Sequence, residues 1–272
     1  MTIAPQLHYY DMAPGITAFS STRQGGCSEG NYSEFNMNCY CGDDPAAIAR
    51  NREALCQLLG IGGDRLVMPH QTHETRVACI DHHFLSLSDG QRREALEGID
   101  ALMTNETGVC IGVSTADCIP LLLCDTEHGA IAAVHAGWRG TVSRIAQKTV
   151  EAMMQAYGTR PSQLKAQIGP GISLDSFEVG QEVYDAFRQA GFDMTAISRR
   201  YPAMGEHAQT EPAGKWHIDL PECNRLQLLQ AGLPSEAIGL SGICTYQQYH
   251  AFFSARRLGI RSGRIFTGIM KR

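Results

Sequence analysis

The sequence predicts a layered α/β sandwich, and three observations point to it. Short apolar strands are interspersed with amphipathic helices, without the strict alternation of a doubly wound sheet. The chain has 272 residues, 43% hydrophobic and 19% charged, an ordinary globular balance. No linker, internal repeat, low-complexity tract or charge run divides it, so residues 1–272 read as one domain.

The elements follow in order. Asp44-Pro45 reads as an N-cap with proline at the first helical position. Ile48, Leu55, Cys56 and Leu59 then share one face, and Gly60 ends the helix. Val109–Val113, Ile119–Cys124 and Ala130–Val134 are apolar runs of strand length. From Val142 through Ile145, Ala146, Thr149, Val150, Met153, Met154 and Tyr157 the spacing predicts one sustained helix, closed by Gly158. Phe177–Ala190 before Gly191 predicts another, and Asp219-Leu-Pro221 opens a last one running to Ala231. Ser198 to Lys215, with two prolines and two glycines, predicts a long surface loop.

Charge and composition exclude several classes. The net charge of −5 gives no basic face for nucleic acid. No apolar run approaches the ~20 residues of a membrane span. The N-terminal stretch lacks a basic start followed by an apolar segment, so no signal peptide is expected, and a cytoplasmic setting is. The ten cysteines then read as reduced thiols, buried or functional. No Cys-x-x-Cys, phosphate loop, dinucleotide glycine turn, His-Glu-x-x-His helix or Gly-x-Ser-x-Gly elbow is present. The basic ending, Arg256-Arg257, Arg261, Arg264 and Lys271-Arg272, reads first as solvated surface and second as part of an anion channel.

Three segments concentrate reactive side chains at expected strand ends: His70-Gln-Thr-His73, Ser114-Thr-Ala-Asp-Cys118 and His135-Ala-Gly-Trp-Arg-Gly-Thr141. Two imidazoles and a thiolate suit zinc with a fourth position left for water. The bland alternative keeps Cys118 as a core thiol, His135 as a satisfied core histidine and His73 as a loop residue.

Taken with further segments along the chain, these resemble a known family. The segments include Arg23-Gln-Gly-Gly-Cys-Ser28, Gly42-Asp-Asp-Pro45, Gln71-Thr-His73, Asp100-Ala-Leu-Met-Thr-Asn105, Thr115-Ala-Asp-Cys118-Ile-Pro120, Gly169-Pro-Gly171, Phe177-Glu-Val-Gly180 and Asn224-Arg225. The most specific is His135–Thr141. The chain resembles the polyphenol oxidase (laccase-domain) family, also named the bacterial purine nucleoside phosphorylase/adenosine deaminase-like proteins. It departs at Thr72, Gly171 and Cys27, where the family commonly has valine, alanine and valine. The resemblance implies that His73, Cys118 and His135 bind one zinc. It also implies an α+β, four-layer α/β/β/α sandwich with mixed sheets, similar to the cytotoxic necrotizing factor deamidases.

The family's names imply phosphorolysis of purine nucleosides (adenosine, inosine, methylthioadenosine) and deamination of adenosine. Water activation at zinc suits the second. Asp117 is one candidate proton shuttle and Glu178 a weaker one; the alternative for Asp117 is a structural carboxylate. Phosphate would suit Arg139 with the backbone amides of Gly140 and Thr141 at a helix start, unless Arg139 pairs with an acid. A copper polyphenol oxidase is disfavoured: among ten histidines there is no His-x-His, although His₂Cys also suits copper. A cysteine hydrolase acting on an amide, as in peptidoglycan-precursor editing, would use Cys118 as nucleophile and His135 as base. A non-enzymatic scaffold has least to recommend it, since it has no use for the triad.

Overall fold

The computed structural model describes residues 4–201 and 214–272. In chain order the strands are β1 (Leu7–Tyr10), β2 (Ile16–Ser21), β3 (Leu66–Val67), β4 (Val77–Cys79), β5 (Ala101–Thr104), β6 (Cys110–Thr115), β7 (Ile119–Asp125), β8 (Ala130–Ala136), β9 (Leu164–Ile168), β10 (Glu178–Val179), β11 (Ser198–Tyr201), β12 (Lys215–Ile218), β13 (Ile238–Leu240) and β14 (Ile265–Lys271). They form a five-stranded sheet ordered β1-β2-β14-β6-β3, a six-stranded sheet ordered β13-β9-β7-β8-β5-β4, and a small sheet ordered β10-β12-β11. Both large sheets are mixed: β3 is parallel to β6, β4 to β5 and β13 to β9, while the other pairs are antiparallel.

Side-chain alternation sorts the strand residues into layers. On β7, Leu121 and Leu123 point to a core shared with Ile145, Val150, Met153 and Leu228 of the helices Ile145–Tyr157 and Leu220–Gln230. Leu122 and Cys124, from the same strand, face Ile111, Val113 and Ile269 of the five-stranded sheet. That sheet turns Phe19, Cys110, Phe266 and Met270 outward onto Leu55 and Leu59 of the helix Pro45–Leu59. The order is therefore helix, sheet, sheet, helix. With both faces covered, β7 and β8 are buried at every position, which is why their sequences run apolar without alternating.

Local signals set most helix ends where expected. The Asp44 carboxylate accepts from the amides of Ala46 and Ala47, and Gly60 closes that helix in the left-handed conformation at φ 70°. Asp219 likewise caps Leu220–Gln230 through the Glu222 amide.

Two expected helices differ. The stripe expected from Val142 to Tyr157 divides into Trp138–Val142 and Ile145–Tyr157 at Arg144, whose φ is 65°. The Arg144 guanidinium lies 3.7 Å from the Phe192 ring centroid and donates to the Ala190 carbonyl. One left-handed residue reorients the chain without disturbing the apolar period, so the pattern concealed it. The helix expected from Phe177 starts instead at Gln181, because Glu178 and Val179 pair with β12. The ends of the loop expected over Ser198–Lys215 are themselves paired strands, β11 and β12, and residues 202–213 lie outside the described residues. All ten cysteines are free, and among the described residues no helix is long and apolar enough to cross a membrane.

Candidate metal centre

Strands β7 and β8 form an antiparallel hairpin in which Ile119 faces Ala136 and Pro120 faces His135. Continuing that register one step brings Cys118 opposite Gly137 at the open end. The long sequence separation between Cys118 and His135 is thus closed by a single hairpin. His73 arrives separately, on a loop beyond β3, with φ 65° and an exposed side chain. Gln71 ties that loop to β6: its Nε2 donates to the Ser114 carbonyl at 2.9 Å, and its Oε1 accepts from the Ser114 amide at 2.7 Å.

The donor atoms of His73, Cys118 and His135 all lie within 4.8 Å of one another. The two imidazole rings meet at 77° with centroids 4.8 Å apart. A tetrahedral ion about 2 Å from each nitrogen and about 2.3 Å from sulfur would hold these atoms about 3.5 Å apart, so the cluster draws in by about 1 Å to bind one. A Cβ placed on Gly137 would lie 3.0 Å from His73 Cδ2 and 3.1 Å from Cys118 Sγ. A side chain here would crowd both groups and make one of them give by a few tenths of an ångström, and Ala136 on the strand below is buried. Donor types and their proximity fit a metal, with the exposed His73 loop free to supply the remaining approach. The His₂Cys set suits zinc and also matches a single copper site. It is the one such group among the described residues, fewer than a multicopper enzyme needs.

Electrostatics reinforce the grouping. Burial pushes the Cys118 thiol up, but His135 and then His73 pull it down to about 6. Burial pushes His135 down, but the Cys118 charge and Asp100 bring it up to about 9. The metal-free site thus favours a thiolate–imidazolium pair. Burial raises Asp100, but the His135 hydrogen bond and charge and the loop amides outweigh it and hold the carboxyl below its usual range.

Asp100, quoted above only as the start of a family segment, is the residue to which sequence reasoning gave no role. It is fully buried, 2.7 Å from His135 Nδ1, and it accepts from the amides of Thr72, His73 and Glu74. Its signal was an acid opening an otherwise apolar strand, where water is absent and a partner is obligatory.

The other candidates separate. Asp117, with φ 85°, accepts from the Thr245 hydroxyl and the Arg256 amide, both at 2.7 Å, so each of its oxygens braces the turn before Cys118. Glu178 is exposed and pairs with Lys215 at 3.0 Å. Arg139 is exposed, stacks over Trp138 at 4.4 Å, and its guanidinium makes no hydrogen bond or ion pair with the described residues. Arg139 and His73 line one cavity of about 450 Å³, together with Glu74, Thr75, Trp138, Val142 and Ser143. Gly140 is buried and does not line this cavity. Thr141 is turned inward: its amide donates to the Gly137 carbonyl and its hydroxyl accepts from Asn224.

The profile of the family described as multi-copper polyphenol oxidoreductase laccase matches residues 17–272. A Bacteroides thetaiotaomicron protein named purine nucleoside phosphorylase is 52% identical over 255 residues, spanning 94% of this chain and 91% of that one. A protein from an unknown prokaryotic organism named adenosine deaminase RL5 is 45% identical and covers 98% of both chains. The crystal structure of the Bacillus licheniformis hypothetical protein YfiH superposes with a TM-score of 0.85 at 27% identity, covering 99% of this chain and 97% of that one. With a profile spanning nearly its whole length and these relatives, the chain belongs to the laccase-like polyphenol oxidoreductase family.

Proposed function

We propose that this chain is a zinc-dependent purine nucleoside enzyme, catalysing phosphorolysis of adenosine, inosine and methylthioadenosine and deamination of adenosine. The observation that carries the reading is the His73–Cys118–His135 cluster opening through His73 onto a cavity also lined by Arg139, whose guanidinium has no ion pair among the described residues. The names of the two relatives support the substrate class. His73, Cys118 and His135 would hold the metal, which supplies Lewis-acid polarisation and water activation when bound. Arg139 would anchor phosphate, with Trp138 and the Gly140–Thr141 turn setting its position. In phosphorolysis a phosphate oxygen bonds to ribose C1′ as the bond from C1′ to the purine breaks, and the electron pair leaves with the purine. In deamination, water adds at C6 and ammonia departs. Ten free thiols support a reducing, cytoplasmic setting.

Stripping the metal and restoring zinc or copper separately, with inosine plus phosphate, adenosine and a phenol as substrates, tests the assignment. Zinc is expected to restore both nucleoside activities. Restoration by copper alone, with phenol turnover, would establish the oxidase instead. Arg139→Ala is expected to weaken phosphate-dependent cleavage by about 10-fold or more, the size of one lost charged hydrogen bond, while sparing deamination. Equal losses would make Arg139 structural.

A second reading has its own observation. The lowered Cys118 thiol beside His135 is the arrangement of a thiol nucleophile and its base. A cysteine hydrolase acting on an amide, such as a peptidoglycan precursor, would use it. That enzyme would work without metal and would not need His73.

A further inference from the structure

We infer that Asp100 is the positioning residue of this centre, setting at once which ring nitrogen His135 offers and the backbone that carries His73. The inference rests on the metal-binding reading above. Four donors converge on two oxygens. Oδ1 takes His135 Nδ1 at 2.7 Å and the His73 amide at 3.1 Å. Oδ2 takes the Glu74 amide at 2.8 Å and the Thr72 amide at 3.3 Å. The side chain is fully buried, so no water substitutes for any of them.

An ionised carboxylate only accepts, so the His135 proton belongs on Nδ1 and the Nε2 lone pair stays free for a ligand. The loop answers to the same group. Three successive amides aimed at one anion form a nest, and a nest needs a left-handed residue. His73 supplies it at φ 65°, a conformation that residues other than glycine seldom hold without compensation. Backbone bonds complete the clamp: the His135 amide donates to the Asp100 carbonyl at 2.8 Å, and the Asp100 amide to the Arg76 carbonyl at 3.0 Å.

No amide can replace this carboxylate. Asparagine presents an oxygen on one side and an NH₂ on the other, and donors occupy both sides. With its oxygen toward His135, the Thr72 and Glu74 amides would face an NH₂, and the His73 loop would loosen. With its NH₂ toward His135, the ring would have to move its proton to Nε2 and lose the ligand lone pair. Either orientation costs one ligand, although Asp100 touches no metal itself.

A merely structural anchor would behave like Gln71, which holds the same loop through Ser114 without reaching His135. Zinc affinity is therefore measured by competition with a chromophoric chelator for wild type, Asp100→Asn and Gln71→Ala, with thermal melts of each metal-free protein. Asp100→Asn is expected to lose about 100-fold, the upper end of supporting-shell effects, and Gln71→Ala less than about threefold, even where both melt earlier. Equal losses, or an Asp100→Asn protein binding zinc like wild type, would overturn the inference. Should Asp100→Asn fail to fold, ring-nitrogen NMR of zinc-loaded wild type decides. A protonated Nδ1 and a zinc-bound, unprotonated Nε2 on His135 are expected, and a proton on Nε2 with zinc at Nδ1 overturns it. Wild type that takes up no zinc would overturn the metal reading itself, a failure distinct from a zinc-binding protein indifferent to Asp100.

Discussion

Two regions of the molecule meet at the cluster, and they are built differently. Cys118 and His135 project from one end of the β7–β8 hairpin, where Leu121, Leu122 and Leu123 are all 0% exposed and neighbouring strands pair on both sides. Each fully buried leucine is worth about 1.5–3 kcal/mol, so the hairpin's rigidity is shared among many residues. His73 rides on an exposed loop whose conformation depends on Asp100 and Gln71. Support on the strand side is distributed, and on the loop side it is concentrated. The strand backbone should therefore tolerate single core changes that the loop side cannot, although the His135 ring shares Asp100 with the loop.

The sharpest break comes from the three proposed ligands. Cys118→Ser, His135→Ala and His73→Ala are each expected to weaken zinc binding by more than about 100-fold, a quarter share of a typical site's binding energy, and to abolish nucleoside turnover. Chelator competition and activity assays check this. If His73→Ala stays active while the two strand variants are dead, the loop contributes no ligand and the cysteine hydrolase stands.

Leu122→Ala, in the sheet-to-sheet core, is expected to cost about 2–5 kcal/mol of stability by chemical denaturation. Where the protein remains folded, zinc affinity should change little, because the β7–β8 ladder keeps its register. A large loss of zinc would show that the strand side is as fragile as the loop.

Gly137→Ala is smaller in stability, about 1–3 kcal/mol from overpacking. The added methyl reaches His73 Cδ2 and Cys118 Sγ at nearly equal distances. A crystal structure of the variant should show the His73 loop displaced and the hairpin in place. Displacement of Cys118 instead would reverse the comparison.

The mildest probe is pH on the metal-free protein. Alkylation of Cys118 by iodoacetamide, followed on its own peptide, is expected to rise with a midpoint near pH 6. Because the Cys118 value is lowered, its contribution to stability is lost as pH falls through about 6. Because the His135 value is raised, its contribution is lost as pH rises through about 9. His135→Ala should move the alkylation midpoint up further than His73→Ala, since His135 is the larger influence on the thiol. A midpoint near 9 in wild type would mean the thiol is not activated.

What could be read without coordinates was local or chemical. The ends of Pro45–Leu59 and Leu220–Gln230 were legible because an acid cap acts within one turn of its own residue. The strands at Ile119 and Ala130 were legible because burial on both faces leaves an unbroken apolar run. The three reactive segments stood out by residue type, and the family resemblance joined them. The break at Arg144 was not legible, because a single left-handed residue leaves no mark on the apolar period. Tertiary structure alone brought Cys118 beside His135, by hairpin register, and turned both oxygens of Asp117 to bracing contacts with Thr245 and Arg256. It alone also gave Asp100 a role. In sequence that residue is an acid at the start of a strand, and its four donors come from a loop and from a neighbouring strand. A hydrogen bond is decided by distance and direction between groups that the chain order keeps apart, so only the folded molecule could assign that carboxylate its place.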